Sequence, residues 1–136
     1  MKTALLDFSL DELKEYIKEL GEPAYRAGQI MSWMLRGVKL DDMTNLPAAL
    51  RARLSESAEV GVPTVARRLV SSIDGTVKYL FRLSDGQCVE SVVMKYEHGN
   101  TICVSTQVGC RMGCRFCAST IGGLVRHLRS GEILVR

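Results

Sequence analysis

The spacing of apolar residues changes period near Gly61-Val62-Pro63, and that change limits the chain to two architectures in series. Upstream, Ser9-Leu-Asp-Glu12 has the form of a capping box, Leu10, Leu13, Ile17 and Leu20 recur at helical spacing, and Gly21 ends the run. A second helix follows Pro23, with Ala27, Ile30, Met31 and Met34 on one stripe and Trp33 beside it, ending near Gly37. Asn45 and Pro47 open a third, which turns Leu46, Leu50 and Leu54 inward. Downstream the period is two. Val65 to Ser72 reads as a strand, Asp74-Gly75 as a hairpin turn, and Thr76 to Leu83 as its partner, with Val77, Tyr79, Phe81 and Leu83 alternating with other residues. After Asp85-Gly86 come a third strand, Gln87 to Met94, and a fourth, Thr101 to Thr106. The expectation is a helical domain over residues 1–60 and a β-rich region over 61–136.

A chain of 136 residues with 46% hydrophobic content is long enough to bury a core. No apolar run approaches the roughly 20 residues that span a bilayer, so no membrane partner is expected. Asp7 interrupts the opening apolar run, which argues against a secretory signal. Five cysteines, an odd number and clustered, point to a reducing, cytoplasmic setting rather than a disulfide framework. Net charge is +3 and unevenly spread. Residues 1–60 carry 8 basic and 10 acidic groups, whereas residues 101–136 carry five arginines against Glu132. A polyanion such as RNA would be drawn to that later stretch. On the helices, Arg26, Gln29, Arg36, Arg51 and Arg53 form either an RNA-facing side or an ordinary solvated face, and Trp33 is expected to be packing.

Three of the five cysteines, Cys110, Cys114 and Cys117, fall in a C-x3-C-x2-C spacing within eight residues. Gly109 and Gly113 lend the loop the backbone freedom to turn three thiolates toward one point. A structural zinc site closes with four ligands, usually from two separated pairs, and no second pair exists. A four-iron cluster usually takes four thiolates, so three would leave one iron open to a small molecule. That is the pattern of the radical S-adenosylmethionine (SAM) superfamily, and Phe116 before the third cysteine suits its habit of an aromatic there. The other readings are inert thiols or an incomplete zinc site.

Glu90 shares a strand face with Cys88, Val92 and Met94. It is either a carboxylate on an inward face, able to act as acid or base, or a solvent-facing residue of an edge strand. Cys103 lies in the strand expected to deliver the cysteine loop, and is either buried filler or a side chain aimed at the site. Cys88 is assigned a filler role, and His98 and His127 are assigned to the surface. Past the loop, Gly122-Gly123 reads as a bend and Ser130-Gly-Glu132 as the start of a helix. A strand, loop and helix without a second parallel strand cannot cover their own faces, so the chain is expected to be the front part of a longer protein.

Taken together, the chain resembles the N-terminal portion of the dual-specificity radical-SAM adenine-C2 methyltransferases of 23S ribosomal RNA and transfer RNA. The resemblance rests on Tyr25-Arg-Ala-Gly-Gln-Ile30, Trp33, Met43-Thr-Asn-Leu46, Asp74-Gly-Thr-Val-Lys78, Val89-Glu-Ser-Val92, Cys103-Val-Ser-Thr-Gln-Val-Gly-Cys110 and Gly131-Glu-Ile133. It implies an α/β fold: a small helical RNA-binding accessory domain, a β-hairpin extension, and the first βα unit of a partial (β/α) barrel, truncated. It further implies that Cys110, Cys114 and Cys117 ligate a [4Fe–4S] cluster with SAM at the open iron, and that Phe116 belongs to the cofactor site. Electron transfer from a donor protein through the cluster would cleave SAM to a radical, and methyl transfer would run through a methylated cysteine near the C-terminus of the family's longer chains. Glu90 matches the family's proton acceptor, and Cys103 the cysteine that forms a transient disulfide with the methyl-bearing one. Because that partner cysteine would lie beyond Arg136, the chain alone is expected to lack methyl transfer. The alternatives are the related adenine-C8 methyltransferases of 23S rRNA, which share the three cysteines, and a non-catalytic RNA-binding fragment.

Overall fold

The computed structural model describes residues 2–135. They form a mixed α/β chain divided into two units, one taking the chain through Val62 together with Ser130–Val135, the other Pro63–Arg129.

In the first unit a two-residue strand β1 (Thr3–Ala4) precedes a single 3-10 turn (Leu5–Asp7), and three ten-residue helices follow: α1 (Leu10–Glu19), α2 (Tyr25–Met34) and α3 (Ala48–Ser57). The capping box at α1 is formed. The Ser9 hydroxyl accepts from the Glu12 backbone N–H at 3.3 Å, and Glu12 Oε2 accepts from the Ser9 backbone N–H at 2.7 Å. Leu13, Ile17, Ile30, Met34, Leu50 and Leu54 meet in one core with Leu5, Met43 and Val60, whereas Leu10, expected on the α1 stripe, stays exposed in the first turn. Burying a side chain of this size stabilises by about 1.5–3 kcal/mol, so these contacts dominate the unit. Strand β2 (Ala58–Glu59) pairs in parallel with β1, Thr3 opposite Ala58, an element that two residues of pattern could not announce.

Trp33 packs partly against this core, and its indole N–H donates to Asn45 Oδ1 at 2.5 Å. Arg26 donates to Gln29 Oε1 at 2.9 Å and lies over the Tyr25 ring, while Arg51 donates to the Asp41 carbonyl at 2.5 Å. Two of the arginines considered for an RNA-facing side are therefore used inside the unit.

The second unit is built on a four-stranded antiparallel sheet in sequence order: β3 (Thr64–Val70), β4 (Val77–Arg82), β5 (Cys88–Tyr96) and β6 (Gly99–Val104). The β3–β4 connection is held by Asp74, whose carboxylate accepts from the Thr76 N–H at 3.0 Å and the Thr76 hydroxyl at 2.9 Å. A second, two-stranded antiparallel sheet joins β7 (Gln107–Gly109) to β8 (Leu124–His127). One sheet face carries Phe81 and Val89, which pack with Leu83, Val108, Tyr79 and Leu128 in a small core.

Two expectations change here. The strand anticipated over Thr101 to Thr106 ends at Val104, and a separate β7 leads into the cysteine loop. The break lies where Ser105 turns its hydroxyl to the Glu90 carbonyl at 3.2 Å and the Thr106 carbonyl accepts from Leu128 N–H at 2.9 Å. One apolar run thus serves two sheets. Strand β8 was not anticipated, because its four residues follow two glycines and carry no long alternation.

The helix expected at Ser130 is α4 (Ser130–Leu134), and it belongs to the first unit. Gly131 N–H donates to Asp7 Oδ1 at 3.3 Å, and a Cβ at Gly131 would stand 2.6 Å from Leu6 Cβ. Only glycine permits that approach.

Candidate functional site

The cysteine loop leaves β7 and returns on β8, so both ends are fixed by one short antiparallel ladder. Gly109 has φ 73°, and a Cβ there would lie 1.9 Å from the Gly123 carbonyl oxygen. That carbonyl accepts from the Cys110 N–H at 3.1 Å, closing the neck of the loop. Further round, the Thr120 hydroxyl lies 3.0 Å from the Cys114 carbonyl oxygen and 2.9 Å from that of Cys117, and the Cys117 N–H donates to Cys114 O at 3.2 Å. Thr120 was not singled out from the sequence. Its position three residues after Cys117, where a hydroxyl can reach back to a turn carbonyl, is the signal that would have found it.

All five cysteines are free thiols, and Cys110, Cys114 and Cys117 are half-buried. Among the described residues no three His, Cys, Asp or Glu side chains converge on a single-ion position. A multi-iron cluster spreads its thiolates over different irons, so the relevant observation is the donor set itself: three accessible thiols on one short, pinned turn. Phe116 stands 94% exposed beside the third of them, and Met112 and Ile121 are exposed on the same loop.

Beside the neck lies a cleft of ≈ 500 Å³ whose lining includes Cys88, Glu90, Ser105, Gln107, Cys110 and Ser119. It unites Glu90 with the first cysteine of the loop. Cys114, Cys117, Phe116 and Cys103 are not among its lining residues. Cys103 is exposed on β6 directly opposite Val92, so it shares the Glu90 face of the sheet one register row away. Of the two readings open for it, buried filler is therefore set aside. Cys88, assigned to filling, is exposed and lines the cleft.

Glu90 matches neither alternative completely. β5 is an interior strand of the sheet, yet it turns Val89 and Ser91 to the packed side and leaves Cys88 and Glu90 on the open one. Glu90 Oε1 pairs with Lys78 Nζ at 2.9 Å, both side chains about half exposed. Nearby, Arg126 Nε donates to Asp85 Oδ2 at 2.7 Å, tying β8 to the turn before β5. His98 stacks on Tyr96 with ring centroids 5.2 Å apart, and His127 is an exposed residue of β8.

Comparison with known proteins adds a family to this geometry. Residues 3–60 match the model of the ribosomal RNA large subunit methyltransferase N-terminal domain. The probable dual-specificity RNA methyltransferase RlmN of Clostridium beijerinckii is 56% identical over 131 residues, covering 96% of this chain and 37% of that protein. Its counterpart in Clostridium botulinum strain Eklund 17B is 52% identical over 133 residues, covering 97% of this chain and 38% of that protein. The crystal structure of a radical SAM methyltransferase from Sphaerobacter thermophilus superposes with TM-score 0.87 at 45% identity, over 96% of this chain and 39% of that one. The chain therefore spans less than two-fifths of the length of the relatives it matches.

Proposed function

From its similarity to the N-terminal portion of RlmN proteins, we propose that this chain carries the cluster loop and part of the RNA-facing surface of a radical-SAM RNA methyltransferase. The proposed substrates are 23S ribosomal RNA and transfer RNA, the modified atom adenine C2, and the setting the cytoplasm. In this reading residues 1–60 form the RNA-binding accessory domain, and the remainder carries the β extension and the cluster loop. The observation that supports it best is the pinned turn bearing three free cysteines beside a cleft that holds Glu90.

Within this reading Cys110, Cys114 and Cys117 hold a [4Fe–4S] cluster, and their soft thiolate character suits iron–sulfur ligation. When bound with SAM, the cluster supplies one-electron chemistry for a carbon that is too poor a nucleophile for polar methyl transfer. The chain's own residues position and shield that chemistry. Thr120 fixes the carbonyls of Cys114 and Cys117, which orients the peptide planes carrying both thiols. Gly109 lets the neck close against Gly123. Glu90 lines the cleft and would accept a proton there, and Phe116, exposed on the loop, would offer an apolar wall next to the cofactor. Cys103, exposed on the same sheet face, is accessible to a thiol from elsewhere in a longer chain and would form the transient disulfide.

Anaerobic reconstitution with iron and sulfide tests this assignment. The expected result is about four irons per chain with a charge-transfer absorption, both lost on Cys114→Ala. Zinc retained in place of iron, or iron uptake indifferent to that substitution, would overturn it.

A further inference from the structure

The sheet of the second unit packs one face and leaves the other open, and the open face has a composition of its own. Cross-strand partners project to the same side of a sheet. Arg67, Leu80 and Glu90 thus form one row, Leu69, Lys78, Val92 and Cys103 the next, and Arg82 stands opposite Cys88. A depression of ≈ 240 Å³ lined by Arg67, Leu69, Lys78, Leu80 and Glu90 confirms that these side chains share a side. Glu90 also lines the larger cleft containing Cys110. The open face is therefore a shallow surface running to the reactive cleft, with Glu90 common to both.

Three cations, Arg67, Lys78 and Arg82, stand on this face against Glu90, and between them lie the partly or fully accessible Leu69, Leu80 and Val92. Cations alternating with apolar side chains suit a ligand that presents anionic groups and flat apolar surfaces together. Single-stranded nucleic acid does so, because its phosphates and unstacked bases are both available, whereas a duplex hides its base faces. A base must also leave its stack to enter a cleft. The Lys78–Glu90 pair is exposed, and exposed pairs are weak enough for a phosphate to exchange with the carboxylate.

We propose that the open face of β3–β5 is a docking platform for single-stranded RNA, on which Arg67, Lys78 and Arg82 take phosphates and Lys78 passes from Glu90 to the ligand. Docking then frees the Glu90 carboxylate at the mouth of the Cys110 cleft. This extends the function proposed above and rests on its RNA substrate, but not on the presence of a cluster.

Fluorescence anisotropy of a labelled single-stranded oligoadenylate, titrated with the chain at several KCl concentrations, tests the platform. Each lost phosphate contact should lower the slope of log K against log salt by about 0.7. The triple variant R67S/K78S/R82S should therefore lose about 2 from that slope and weaken binding by about tenfold or more at low salt. Glu90→Gln should act in the opposite direction, tightening binding about twofold to threefold by releasing Lys78. Arg68→Ser removes a cation from the same strand, but from the opposite sheet face, where Arg68 lies 5.9 Å from the Tyr79 ring centroid, and should leave the slope nearly unchanged.

RNA binding indifferent to the triple variant, or reduced equally by Arg68→Ser, overturns the platform. So does tighter binding of a duplex, absence of RNA binding by the folded chain, or a change in self-association that tracks the triple variant instead. The cluster assignment is read separately from iron content, so either can fail without the other.

Discussion

The two units spend their hydrophobic residues differently. Among the described residues the first gathers fourteen buried apolar side chains into one core, from Leu5 through Val60. The second buries four, Phe81, Leu83, Val89 and Val108, and relies on its ladders for the rest. The residues of chemical interest follow the second pattern: Glu90, the five thiols and Phe116 are all exposed or half-buried. A helix hides its whole apolar stripe against its neighbours, while a sheet packed on one side keeps every second side chain available. The smaller core is thus tied to an open working face.

Substitutions can break this contrast, beginning with the first core. Leu13→Ala removes a fully buried side chain and should cost about 2–5 kcal/mol in chemical denaturation, whereas Leu80→Ala on the open face should cost under about 1 kcal/mol. Equal costs would mean that the open face is packed in solution. A smaller effect is expected at the loop neck. Gly109→Ala imposes a left-handed conformation on a residue with a Cβ and drives it into the Gly123 carbonyl, for a cost of about 1–3 kcal/mol. Hydrogen exchange should show the loss confined to β7, β8 and the cysteine loop, and protection lost throughout α1 to α3 would contradict a local effect.

The smallest effect is on pH. Hydrogen bonds from Ser9 hold the Glu12 carboxyl below its ordinary range, and bonds from Thr76 and Ser71 do the same for Asp74. A carboxyl depressed on folding adds stability that is fully present above its unfolded pKa and is lost as pH falls through the folded value. Acidification below the ordinary carboxylate range should therefore loosen the start of α1 and the β3–β4 turn together, a change that amide chemical shifts of Glu12 and Thr76 would report. Glu12→Gln should remove the α1 part alone.

Much of this architecture was legible beforehand for identifiable reasons. Ser9 and Glu12 announce a cap because their spacing matches the backbone geometry of a first turn, and Asp74-Gly75 announces a hairpin because a short acceptor and a flexible residue suit it. The cysteine loop was readable because ligand spacing is itself a local property. What escaped was pairing between distant segments. Nothing in Thr3–Ala4 signals a parallel partner at Ala58, and nothing in Leu124–His127 signals the return ladder for β7. The sidedness of Glu90 escaped for a related reason. Its strand period puts it with Cys88 and Val92, but which side of a sheet is covered depends on elements far away in the chain.

The sequence by itself determined the helices, the four antiparallel strands and the thiol triad, because each is written in spacings of a few residues. Only the tertiary structure decided that the triad's loop closes on a second small sheet, that Gly131 seats against Leu6 and Asp7, and that Glu90 faces outward with Lys78 as its partner. These are contacts between segments tens of residues apart, and their geometry is set by which surfaces pack.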